Sequence, residues 1–121
     1  MSIPQEALFG NQGNIYPFAG YNVLSGTPHT SSGTLDSSEW LVYADTTAGP
    51  FSLLLPAVPY EGQSYKFVDN APAGSFAANN LTINGNGKTI NGAATLVLST
   101  NFASYELRYN GTNWIIFNKA P

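Results

Sequence analysis

The chain contains no cysteine. Disulfide scaffolds, thiolate zinc sites and cysteine nucleophiles are therefore excluded. It is also poor in charge. Only 9% of its residues are Asp, Glu, Lys or Arg, against about 25% in ordinary soluble proteins. The four basic residues, Lys66, Lys88, Arg108 and Lys119, are scattered along a chain of net charge −3. A duplex nucleic-acid surface needs clustered cations to displace phosphate counterions, and a polybasic membrane patch needs the same, so neither partner is expected. No apolar run approaches the ~18 residues of a membrane span. The start Met1-Ser2-Ile3-Pro4 lacks the basic region and apolar run of a secretory signal, so synthesis in a cytoplasm is expected. No amphipathic helical spacing (i, i+3, i+4, i+7) is sustained in any window; at most one short turn is expected near Pro4 to Leu8.

What the chain has instead is turn and strand chemistry. The hydrophobic fraction of 43% is that of a folded domain rather than a disordered one. Asn, Ser, Thr and Gly stand where Lys and Glu usually do, and they favour turns and strand faces over helices. The 121 residues, with 12 Gly and 8 Pro, suit one domain of short punctuated strands.

Two textures divide the sequence. In residues 1–38, Phe9, Tyr16, Phe18 and Tyr21 are spaced by Gly10, Gly13, Pro17 and Gly20, with no period. A polar stretch from Ser25 to Gly33 follows and reads as a linker. Rings on an irregular segment need a surface to bury against, be it the chain's own domain, a sister subunit or a shell, so residues 1–38 are expected to be an N-terminal arm and linker, with inter-subunit or shell contact expected for its rings.

Residues 39–121 are expected to be the folded domain. Trp40–Tyr43, Phe51–Leu55, Tyr65–Asp69, Leu81–Ile83, Thr89–Ile90 and Thr95–Leu98 read as strands. Tyr105, Leu107 and Tyr109 alternate with polar residues, Asn110-Gly111 supplies a hairpin turn, and Trp114–Phe117 is the return strand. Many short strands separated by turns predict a sandwich or barrel; the fold expected is an all-β, single-domain β-sandwich, jelly-roll-like, with an extended N-terminal arm, strand order not being encoded in periodicity. Ile83-Asn84-Gly85 and Ile90-Asn91-Gly92 form two similar tripeptides, too few for a repeat protein but compatible with a local solenoid-like stack.

From Tyr43 to Phe117 the order of short motifs is more specific than any one of them. Asp45-Thr46-Thr47 precedes a strand ending Leu55-Pro56-Ala57. Gly62 to Asp69 reads Gly-Gln-Ser-Tyr-Lys-Phe-Val-Asp. Asn80 to Ile83 and Thr89 to Gly92 flank a glycine-rich turn, and Leu107 to Trp114 reads Leu-Arg-Tyr-Asn-Gly-Thr-Asn-Trp. This series resembles a β-module of phage virion proteins, found in tail fibres and small head-decoration (cement) proteins. The resemblance covers the last two thirds of the chain. It implies a non-enzymatic structural protein of the virion, usually a homotrimer, bound to the major capsid protein or to tail proteins. It brings no catalytic residue and no cofactor.

The remaining chemistry is sparse. Asp36 and Glu39 are close in sequence, but the paired-carboxylate geometry of a glycosidase has no surrounding signature. His29, the one histidine, lies in the polar stretch and is expected to be solvated; no nucleophile elbow accompanies Ser31 or Ser32. Asp45-Thr46 and Asp69-Asn70 offer oxygen ligands for calcium, yet capping of their own turns explains them more simply. Gly85-Asn86-Gly87-Lys88-Thr89 has only the end of a phosphate-binding loop, because Thr82 stands where the first glycine is needed, and it reads as a turn. Trp40 and Trp114 are the candidate platform for a glycan receptor, or else are core and interface rings.

Overall fold

The computed structural model describes residues 26–121. They contain no helix and form nine strands. These are β1 (Thr27–His29), β2 (Gly33–Thr34), β3 (Leu41–Ala44), β4 (Phe51–Leu54), β5 (Ser64–Asp69), β6 (Leu81–Asn84), β7 (Thr95–Leu98), β8 (Ser104–Tyr109) and β9 (Trp114–Ala120). One sheet has the order β9-β8-β5-β3-β1 and the other β2-β4-β6-β7.

The strands form because every second side chain has an apolar place to go. Val42 and Ala44 on β3, Phe51 and Leu53 on β4, Tyr65 and Phe67 on β5, and Leu81 and Ile83 on β6 are buried, while the residues between them are only half-buried. The two inward faces join in one cluster that also takes in Leu35, Phe76, Ile90, Leu98, Leu107 and Trp114. Each large side chain so buried stabilises the fold by roughly 1.5–3 kcal/mol before entropy is charged against it.

The expected two-sheet, all-β character is present, but the connectivity is not that of a jelly roll, whose Greek keys are antiparallel. From β1 to β6 the chain changes sheet after every strand, and each strand lies parallel to the one before it in its own sheet. Thr27 pairs with Val42, and Val42 with Phe67; Gly33 pairs with Leu53, and Leu53 with Ile83. Three flattened turns of a parallel coil result. Only then do β7, β8 and β9 add antiparallel, on β6, β5 and β8 respectively. The two Ile-Asn-Gly tripeptides are not the repeat of this coil. Thr89–Ile90, expected as a strand, makes only isolated bridges to Ala93 and Trp114.

The boundary expected at residue 38 also shifts. The polar stretch read as linker supplies β1 and β2, which pair with β3 and β4, and Leu35 beside them is core at 2% exposure. These strands escape sequence reading because they are only three and two residues long and lie at sheet edges, where polar residues are tolerated.

Turn chemistry behaves as the residues dictate. Asn110 accepts from the Thr112 and Asn113 N–H groups through Oδ1 and closes the β8–β9 hairpin. Asn86 and Gly87 both have positive φ (53° and 95°), and Lys88 N donates to Gly85 O. At Gly85 a Cβ would meet the Lys88 carbonyl oxygen at 1.9 Å, so only glycine fits there.

Candidate functional site

Asp69 ends β5 and is the most heavily hydrogen-bonded side chain of the described residues. Its Oδ2 accepts from the N–H groups of Ser75 (2.8 Å), Phe102 (3.0 Å) and Phe76 (3.2 Å), and its Oδ1 accepts from Ala71 N and Ser75 Oγ. Burial acts to raise its pKa, but the backbone donors Ser75, Phe102, Phe76 and Ala71 outweigh it and hold the carboxyl below the usual carboxylate range. Thr46 continues the network: its hydroxyl donates to Asn79 O (2.6 Å), and its N–H donates to Ser75 Oγ (3.0 Å). Asp69 is thus an architectural anchor for two loops. The simpler turn cap expected at Asp45 is present, Thr47 N donating to Asp45 Oδ1. Among the described residues no three His, Cys, Asp or Glu side chains gather to hold a metal ion.

Asp36 and Glu39 do share a turn, but each carboxylate is already committed. Asp36 Oδ1 accepts from Ser38 N and Ser38 Oγ. The Ser38 hydroxyl foremost, with the Ser38 N–H, lowers the pKa of the Asp36 carboxyl. A glycosidase acid needs the opposite shift. Glu39 Oε2 accepts from Asp36 N, and its Oε1 accepts from His29 Nε2 at 2.7 Å. His29, expected to be solvated, is instead half-buried against Glu39. The contact is invisible in the sequence because it depends on β1 entering the sheet.

This turn faces a second one. Gln63 Nε2 donates to the Tyr65 hydroxyl, and that hydroxyl donates to Asp36 O (2.6 Å). Burial pushes the Tyr65 pKa up, so the phenol stays a neutral donor. Gln63 Oε1 accepts from Tyr60 N, and Gln63 N donates to Tyr60 O. The 36–40 and 60–64 turns are therefore both fixed to β5, and between them lies an open groove of about 400 Å³. Trp40 and Tyr60, 36% and 60% exposed, line it together with Ser37, Ser38, Gln63 and Ser64.

The two tryptophans do not form one platform. Trp114 is fully buried, its ring 5.3 Å from Tyr109 and 5.8 Å from Tyr65. A ring sealed in the core offers no face to a sugar. The aromatic that does share a groove with Trp40 is Tyr60, which sequence reading missed; the only signal was its place in the turn before Gly62-Gln63.

The sheet edges form a second candidate surface. β1 has Pro28 at its centre, and β2 is two residues long. The β9 edge is covered at its start, where Thr89 O accepts from Trp114 N and Asn91 pairs with Trp114 O and Ile116 N. It then carries a bulge between Ile116 and Asn118, and has Lys119 next to its last residue. Pro, short length, bulges and lysine are the devices that keep an edge from pairing with a stranger. β7 has none of the charged, Pro or bulge devices. It pairs with β6 along its whole length without a shift. From Asn91 to Phe102 the sequence holds no charge and no proline, and only Leu98 is buried. Gly85 N donates to Ala94 O, and the antiparallel alternation from there turns the backbone groups of Thr95 and Val97 to the open side. Val97 is 47% exposed.

The arm residues Phe9, Tyr16, Phe18 and Tyr21 lie outside the described residues. No protein-family model matches the chain, and no curated protein matches it.

Proposed function

We propose that this chain is a non-enzymatic structural component of a phage particle, a trimeric decoration or cement protein that works by assembling with copies of itself and with the major capsid protein or tail proteins. The observation that carries this is the β7 edge, which no described strand covers. Among the described residues three of the four sheet edges are guarded and one is not, and an unguarded uncharged edge is stable in a native protein when another chain covers it. A strand added there would satisfy the outward N–H and C=O groups of Thr95 and Val97 and bury the Val97 side chain. In a closed trimer this contact is heterologous, the β7 edge of each subunit meeting a different surface of the next.

Low charge suits such a contact. Few ions have to be desolvated, so binding depends little on salt. Three linked subunits then hold the particle by avidity, each contact remaining weak. The motif order from Asp45 to Trp114 supports a place in the virion, and the rings Phe9, Tyr16, Phe18 and Tyr21 are the proposed contacts of an extended N-terminal arm.

Mixing the purified protein with particles assembled without it tests the role. Cosedimentation and a raised temperature of particle disruption are expected. Deleting residues 1–24 is expected to abolish cosedimentation while the circular dichroism of the β domain persists. Unchanged cosedimentation after the deletion would remove the arm from the contact, and no cosedimentation of the full chain would contradict the decoration role.

A further inference from the structure

We infer that Phe102 anchors the contact between copies of this chain, its ring seating on a second copy where β7 runs into β8. The inference rests on the reading of β7 as an assembly edge and adds to it the side chain that holds the contact.

The turn after β7 asks for glycine. Ala103 N donates to Thr100 O (3.1 Å) and closes a turn from Thr100 to Ala103. Its third residue, Phe102, has a φ of +63°, and Asn101 before it has no positive φ. Positive φ at the third residue alone is the signature of a type II turn. That position takes glycine or asparagine, because a Cβ there crowds the backbone. The chain follows this rule elsewhere. Every other described residue with positive φ is Gly or Asn, and Phe102 alone is neither. The turn is held on both sides. Asp69 Oδ2 accepts from Phe102 N (3.0 Å), and Asn101 Oδ1 accepts from Ala77 N (2.9 Å).

Nothing in its own subunit offsets this strain. The Phe102 ring is 57% exposed and stands outside the core cluster. No ring contact ties it to another described residue. Strain that persists at an open side chain points to a use for that side chain. An aromatic ring held in one direction on a fixed turn suits an interface anchor. Rings are enriched in interface cores, and a preset ring loses little freedom on docking.

The neighbouring chain identifies the occupant. Phe102 ends the uncharged stretch that begins at Asn91, just after Leu98, the last residue of β7. The same stretch holds Val97, 47% exposed. A strand added to β7 would run on toward this turn, so strand edge and ring belong to one surface. A lipid surface would be met by basic residues beside the ring, and the stretch has none. An uncharged surface suits an uncharged partner, and a chain with 9% charged residues supplies one in its own copies.

The test is light scattering of the full chain over a dilution series, compared with Phe102→Gly and Phe102→Ala. Both variants remove the ring; glycine also relieves the backbone, and alanine does not. Each is expected to raise the dissociation constant of the assembly about thirtyfold, the scale of an interface hot spot. Thermal melts in the Val97→Lys background, where the chain is expected to be monomeric, read the ring's role in its own subunit. Adding Phe102→Gly there is expected to leave the midpoint unchanged or higher. If the parent assembles, Val97→Lys dissociates it and both Phe102 variants assemble as tightly as the parent, the anchor is overturned and the edge stands. A lower midpoint on adding Phe102→Gly would also overturn it, because the ring would then serve its own fold. A parent that is monomeric at every concentration would contradict the edge and the anchor together.

Discussion

Asp69→Ala is expected to destabilise the protein by about 3–5 kcal/mol in chemical denaturation, among the largest effects of any single change outside the apolar core. The carboxylate accepts from four backbone N–H groups and one hydroxyl. Those donors lie in two loops, 71–76 and the turn at Phe102, and none of the four N–H groups has another acceptor among the described residues. Phe102 adds to the cost. It has φ of +63°, a conformation that non-glycine residues hold only when the surroundings enforce it, and its N–H bond to Asp69 is part of that enforcement. The same bonds set a pH dependence. The folded state holds the Asp69 carboxyl ionised below the usual range, whereas in the unfolded chain it titrates near 3.9, as model carboxyls do. A depressed folded pKa gives stability that is fully present above the unfolded value and is lost as pH falls through the folded one. Stability is therefore expected to decline below about pH 4. Asp69→Asn should be less stable at neutral pH and show a shallower acid decline. An Asp69→Ala protein as stable as the parent at pH 7 would contradict the anchor role.

Trp114→Ala is expected to cost a similar ~3–5 kcal/mol. The indole is the largest fully buried side chain and packs against Tyr65 and Tyr109. Its truncation opens a cavity where β8, β9 and the 89–91 segment meet. Trp114→Phe should be far milder. Indole Nε1 is buried without a hydrogen-bond partner, a state that costs about 1–3 kcal/mol, and phenylalanine removes that cost along with part of the volume. Thermal melts of the two variants separate these terms. Equal destabilisation by Ala and Phe would show that the indole N–H makes a bond both variants lose and that ring volume is not what decides the cost.

Much of the β architecture was legible in the sequence, for a local reason. Tyr105, Leu107 and Tyr109 alternate, Asn110-Gly111 turns, and the return strand begins at Trp114, as read. The cores of β3 to β7 follow from the same period-two pattern. What stayed hidden depends on partners distant in sequence. Alternation is the same for parallel and antiparallel neighbours, so the coil of β1 to β6 could not be told from a Greek key. The distance between stacked partners grows from Thr27–Val42 to Val42–Phe67, so no fixed repeat marks it. His29 looked solvated because Glu39 meets it only after β1 pairs with β3. Trp40 and Trp114 looked alike because composition does not say which ring the core will take, and Tyr60 gains meaning only when its turn is placed beside Ser37 and Ser38.

The central claim is that this chain acts by assembling through an unguarded edge, and the mass of the purified protein in solution tests it most directly. Light scattering is to be run on the parent and on Val97→Lys, which puts a charge on the outer face of the β7 edge strand without touching the core. The account predicts a multiple of the chain mass for the parent, three on the family resemblance, and a monomer of unchanged circular dichroism for Val97→Lys. A parent that stays monomeric at every concentration, or a variant that assembles as the parent does, would contradict it.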